Sequence, residues 1–283
     1  MLLLLAALAT LPMQGTDTTV PVPPRARLSL GNFQGTVTIT SWNRSALRVE
    51  ATHDDDTHID INVGGGVVQV RGRSRYGPPE VDYRLTVPAE MSLEISSHSG
   101  DVKIQGSRGE VQVQTNEGAI TVDGGRGRIS LQSVEGDVSL ADADGRINIG
   151  TVDGGVTVRG ARGDLSVNAV DGAITLEDID ASSVDASSVD GAISFTGALH
   201  DHGRYRLSSH DGNVTVVTPA VNAAVTVSTF DGDFESDFPI TLNGISDRKR
   251  LNFTLGNGGA RLELESFDGT VSLRKPGGRT GDR

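Results

Sequence analysis

The chain has 283 residues, a formal net charge of −12, 36 glycines, no cysteine and only 4% aromatic residues. The missing cysteine excludes disulfides, thiolate metal sites, a thiol nucleophile and a lipid anchor on cysteine. The acidic surplus argues against binding to a phosphate backbone, so no nucleic-acid partner is expected. At 36% hydrophobic residues, mostly aliphatic, the composition suits a thin core better than thick layers built on large side chains.

Residues 2–11, LLLLAALATL, form an apolar run closed by Pro12. The run is too short to cross a bilayer but fits the apolar region of a secretory signal. Residues 1–15 are therefore expected to direct export, with cleavage after Ala9 or Gly15. No Lys or Arg precedes the run as a signal would ask, and a buried N-terminal strand or helix is the competing reading. Residues 16–27, containing TTVPVPP, read as an extended linker. No later segment approaches 18 apolar residues, so the mature chain is expected to lack a membrane span.

Between 28 and 98 the segments LSLGNFQGTVTITSW (28–42), ALRVEA (46–51), HIDINV (58–63), VVQVRG (67–72) and VDYRLTV (81–87) predict strands joined by short turns. They are expected to form an antiparallel meander that caps an open sheet end.

From 99 to 235 the chain repeats. Glycines stand at 100, 109, 118, 127, 136, 145, 154, 163 and 172, one every nine residues, and each opens the phrase Gly, any residue, apolar, polar, apolar. Alternation with period two means a strand with its apolar members on one side. Strands of about five residues cannot each own a core and must stack on copies of themselves. The expected fold class is therefore all-β: a β-solenoid capped by antiparallel strands at both ends. The phrases alternate in kind, SVEG, TVDG and AVDG against GSRG, GGRG and GARG, so the full coil has 18 residues, two nine-residue strand-turn units. Two units suggest a flattened, two-sided coil, with a three-sided coil as the alternative. Glycine suits the corners, where φ is often positive. The doubled ASSVD-ASSVD at 181–190 stretches one spacing and predicts a bulge. Residues 236–276, with RLNFTL (250–255) and ARLELESFDGTVSLRK (260–275), are expected to supply closing strands, and 277–283 a frayed tail.

The stretch VDYRLTVPAEMSLEISSHSGDVKIQGSRGEVQVQTNEGAITV (81–122) resembles the Toastrack adhesin-type domain of bacterial envelope proteins. The upstream GTVTITSWN (35–43) and the closing GGARLELESFDGTVSLRK (258–275) also fit, so the likeness covers roughly 28–275. The resemblance implies an exported β-solenoid linked with adhesion or envelope stress, and it lends no catalytic residues.

Three features carry candidate chemistry. An acidic residue precedes glycine at Glu117, Glu135, Asp153, Asp171, Asp190, Asp211, Asp231 and Asp268. In an 18-residue coil the first five should stack on one edge, where Asp153, Asp171 and Asp190 could form a weak, non-selective Ca²⁺ ladder or serve only as turn formers. No other cofactor is expected. The opposite edge carries Arg108, Arg126 and Arg162, interrupted by Asp144, a stripe that could hold an anionic glycan or a partner's carboxylates or could be a solvated edge. Histidines cluster at 53–58 and at 200–210, without the spacing that fixes a third metal ligand.

No Gly-x-Ser-x-Gly elbow and no matched His-Asp set appears. The expected function is a non-enzymatic binding or adhesin-like module exported to the periplasm, cell surface or medium, with an envelope protein or a glycan as partner. The alternatives are a polysaccharide-active β-helix enzyme and a self-assembling scaffold.

Overall fold

The computed structural model describes residues 14–240 and 250–277, and these form strands and turns without a helix. The proposed export signal lies outside the described residues, apart from its last two positions. Two long sheets face each other, and the chain passes from one to the other at every corner. Ser92–Ser99, Val111–Glu117, Arg126–Glu135, Asp144–Asp153 and Arg162–Asp171 lie side by side in one sheet. Val102–Ser107, Ile120–Gly124, Val138–Ala141 and Val156–Arg159 lie side by side in the other. All these pairings are parallel with an 18-residue offset, as in Ile129↔Ile147↔Leu165, apart from a one-residue shift where Gly124 meets Ser107. The coil is two-sided.

The eighteen aliphatic residues of the nonapeptide run, from Val102 to Leu176, all point between the sheets and are at most 3% exposed. Each contributes roughly 2 kcal/mol by leaving water, and each packs on its own counterpart one coil away. The outward rows are polar: Thr121, Ser139, Thr157, Thr175 and Ser194 line one sheet in register.

Glycine at the corners answers two demands. Most of these residues have positive φ, and all stand where neighbouring coils touch. At Gly154, φ is +148° and an added Cβ would lie 2.5 Å from the carbonyl oxygen of Gly136, itself one rung of the same stack. Gly155 has no such constraint, since its Cβ would meet nothing closer than 3.5 Å, and Ala173 holds the corresponding place one coil on. Gly154→Ala should therefore cost roughly 2–4 kcal/mol through backbone strain and overpacking, while Gly155→Ala should leave denaturant unfolding almost unchanged. Equal losses would show that the rungs can separate freely. Where Ala181 replaces glycine opposite Gly163, the strand bulges at Ser182 and the register shifts, within the predicted bulged segment.

The ends differ from the expected plain caps. Arg27–Gln34 and Val37–Trp42, read as part of an antiparallel meander, form a parallel coil of the stack against Ser92–Ser99 and Val102–Ser107. On their other side lie Val67–Ser74 and Val81–Pro88, also parallel. Among the described residues, antiparallel capping at this end is confined to Gln14–Pro21, Ala46–His53 and Thr57–Gly64. The expected linker is thus partly a cap strand. Its Thr16, Thr18 and Val20 are β-formers, and the Arg48 guanidinium both ties Asp17 to the next strand and holds its carboxyl below the usual range.

At the C-terminus the strands expected to close the stack sit inside it. Ala260–Asp268 lies between Arg204–Asp211 and Ala223–Thr229, and Val271–Arg274 between Val214–Val217 and Phe234–Ser236. Among the described residues at this end, only Arg250–Leu255 caps, antiparallel to Ala223–Thr229. Local periodicity says that a segment is a strand but not which slot of the stack it takes.

Candidate functional site

The two edges of the coil have opposite electrostatics. On the edge where the chain turns into the longer strands, Arg126, Asp144, Arg162 and Asp180 follow one another in register. Arg126 lies 3.8 Å from Asp144 and Arg162 lies 3.6 Å from Asp180, which His200 also approaches at 2.7 Å. The alternation neutralises this part of the edge, so Arg162 is not one member of an open cationic stripe. Exposed pairs of this kind add little stability.

Arg108 and Arg126 differ from Arg162 because they open onto a groove at the N-terminal end. The groove has a volume of about 690 Å³. Its walls come from four separate stretches: Val22–Ala26, Trp42–Ser45, Pro88–Ser92 and the corner carrying Arg108 and Arg126. Trp42, the chain's single tryptophan, is oriented by an Nε1–H bond to the Ala46 carbonyl at 2.8 Å. The Arg44 guanidinium stacks over its ring at 5.1 Å. Arg25 stands at the rim in a left-handed conformation, φ 59°. Four arginines, of which Arg126 is shared with Asp144, and two glutamates, Glu90 and Glu110, leave the groove a small positive balance on an acidic protein. An indole, prolines and forked guanidinium groups together match a small ligand with a flat apolar side and an anionic group.

The other edge is built by the phrase Ser/Thr, any residue, Asp/Glu, Gly. The first member turns inward: Thr115, Ser133, Thr151, Ser188, Ser209 and Ser266 are buried. Several donate to a glycine carbonyl of the preceding coil, as Ser209 does to Gly191 at 2.8 Å and Ser266 to Gly212 at 2.8 Å. The next two residues both face water because the chain is bending. Glu117, Glu135, Asp153, Asp171, Asp190, Asp211 and Asp268 thus stack along one exposed row.

This row is a line, not a cage. Neighbouring rungs are about 4.8 Å apart, and among the described residues no group of three or more His, Cys, Asp or Glu is placed to hold a metal ion. Asp153, Asp171 and Asp190 belong to the row and do not converge. The histidines are engaged separately: His53 with Thr16 at 3.0 Å, His58 with Asp60 and His200 with Asp180.

Beside the acids runs a feature that the period-two reading passes over. Val134, Val152, Val170 and Val189 are 46–51% exposed and stack in consecutive coils. The row continues through His210, Phe267 and Phe230, whose rings stack at 4.7 and 4.6 Å, and starts from Phe33 against His98 at 4.7 Å. The sequence signal was the Val in SVEG, TVDG, AVDG and SVDG, an apolar residue out of phase with the core alternation.

The fold and its repeat define a two-sided parallel β-solenoid with interleaved terminal coils. The chain belongs to the Toastrack DUF4097 family, whose profile matches residues 15–196 and 164–274, overlapping where one repeat can stand for another. No curated protein matches it. Among solved structures it is similar to a candidate adhesin from Parabacteroides merdae, at 11% identity and TM-score 0.40, covering 92% of this chain and 96% of that one. A candidate lipid-binding protein from Parabacteroides distasonis is similar at 12% identity and TM-score 0.40, with the same coverage. A candidate cell adhesion protein from Clostridium sporogenes is similar at 9% identity and TM-score 0.27, covering 93% of this chain and 100% of that one.

Proposed function

We propose that the protein is an exported, non-enzymatic binding module with an adhesin-like role at the bacterial cell envelope, and that the groove at Trp42 receives the anionic group of its ligand. The observation carrying this reading is a groove of about 690 Å³ lined by Arg25, Arg44, Arg108, Arg126 and the Trp42 indole, on a chain of net charge −12. The ligand class is a carboxylated glycan or a carboxylate-bearing segment of an envelope protein: guanidinium forks take the carboxylate and the indole takes a sugar or side-chain face. Family membership supports the adhesin-like role, and the apolar run at residues 2–11 supports export.

The test is an array of uronic-acid oligosaccharides and acidic peptides beside their neutral counterparts. The parent protein should retain acidic members, and Arg108→Ala with Arg126→Ala should weaken retention about tenfold, the size of a lost charge-assisted contact. Trp42→Ala should do the same without altering the salt dependence. Retention by the variants equal to the parent's would remove the groove from the account.

A further inference from the structure

The apolar row beside the acidic ladder lies apart from the Trp42 groove, on the opposite edge of the coil. Nine large hydrophobic side chains are exposed among the described residues, and seven of them lie on this one edge: Phe33, Val134, Val152, Val170, Val189, Phe230 and Phe267. Ten rungs from Phe33 to Phe230 extend over about 43 Å at the spacing between strands. Exposed apolar residues scattered singly need no explanation, but four valines stacked in consecutive coils and running on into the rings of His210, Phe267 and Phe230 do; toward Phe33 the row is interrupted by His98 and Asn116. Its neighbours sharpen the point. The acids Glu117, Glu135, Asp153, Asp171, Asp190, Asp211 and Asp268 flank it, and none of them has an ion-pair partner among the described residues. The opposite edge, by contrast, alternates its charges.

We propose that this edge is a docking surface for a basic amphipathic helix of a partner protein. Two properties select that occupant. The first is charge: a row of unpaired carboxylates against an apolar row asks for Lys or Arg flanking an apolar stripe, and it repels a second copy of this chain or an anionic membrane. The second is spacing. A helix presents its apolar stripe every three to four residues, about 5.3 Å along its axis. The valine rungs are about 4.8 Å apart, so helix and ladder stay in step across the four valines, drifting by only about 1.5 Å. An extended strand repeats its same-face side chains about every 6.7 Å and loses step after one rung.

The probe is a helical peptide of about 14 residues, some 21 Å long, made only of Leu and Lys with leucines at i, i+3, i+4 and i+7. Its controls are a scrambled peptide of the same composition and a version with Glu for Lys. The parent should bind the amphipathic Leu/Lys peptide, more weakly as salt rises, and should bind the controls at least tenfold more weakly. Replacing Val134, Val152, Val170 and Val189 together by Ser should weaken binding about tenfold or more, with the melting temperature as a check on folding. A second variant, Glu135→Gln with Asp153→Asn, Asp171→Asn and Asp190→Asn, keeps the apolar row and should flatten the salt dependence. The proposal is overturned if the serine variant or the scrambled peptide binds as well as the parent pair. It is overturned equally if the carboxamide variant keeps the parent's salt dependence, or if sedimentation shows a parent dimer that the serine variant lacks. Variants of the Trp42 groove leave this edge untouched, so the two readings fail independently.

Discussion

Ile147→Asp should abolish cooperative folding, with a loss of about 5 kcal/mol or more. Ile147 is 1% exposed and stands in register between Ile129 and Leu165, so its side chain touches only core aliphatics of its own and adjacent coils. The substitution removes an aliphatic contact worth about 2–5 kcal/mol and places a carboxyl where no donor can reach it. A domain of ordinary stability, about 5–15 kcal/mol, has little left after such a loss. In a solenoid the damage is also shared: coil stability depends on both neighbours, so one failed rung uncouples the two halves. Thr157→Asp is the matched control. Thr157 points outward, between Ser139 and Thr175, with no charge beside it in register. That variant should lose about 1 kcal/mol or less, the span of strand preferences at a solvated position. Thermal and urea unfolding of the two proteins measure the difference. Equal losses would refute the inward and outward assignment of the whole repeat.

The same alternation explains why the body of the fold is legible in the sequence. Every inward position from Val102 to Leu176 obeys period two, and parallel stacking makes each coil repeat the preceding one, so errors do not accumulate. Legibility fails where the determining contact is not local. Nothing within Arg27–Trp42 says that it pairs in parallel with a coil more than fifty residues away. The groove suffers in the same way, because Trp42 and Arg108 meet only once the first coil is in place. The apolar edge is hidden in the sequence for a different reason. At that corner two successive residues face water, so Val134 and Glu135 both point outward, and a period-two reading assigns the valine to a turn. The arginine edge shows the converse error: Arg108, Arg126 and Arg162 look equivalent by spacing, and the structure separates them through Asp180 and the groove.

A chain ending at Leu255 should lose cooperative folding, or retain it only with a deeply lowered melting temperature. The truncation removes the coil formed by Ala260–Asp268 and Val271–Arg274, which lies inside the stack. Leu262, Leu264, Val271 and Leu273 are all buried, and at about 2 kcal/mol each their loss is about 8 kcal/mol. The vacated slot also strips cover from Leu207 and Val214 on one side and from Val225 and Val227 on the other. One rearrangement competes with unfolding. Arg261 pairs with both Arg204 and Ala224, so Ala223–Thr229 could slide into the empty slot in register, putting Val225 for Leu262 and Val227 for Leu264. Such a slide would still forfeit the ring stack of His210, Phe267 and Phe230, together with the Ser266 bond to Gly212. A synthetic peptide of residues 256–277 separates the two results. An open slot accepts the peptide and regains a cooperative transition, while a shortened stack has nowhere to put it. Cooperative melting of the truncated chain at the parent temperature would mean that the interleaved coil is dispensable. The expected result is recovery on adding the peptide, because Ala260–Asp268 and Val271–Arg274 fill a slot bounded on both sides by strands that precede them in the chain.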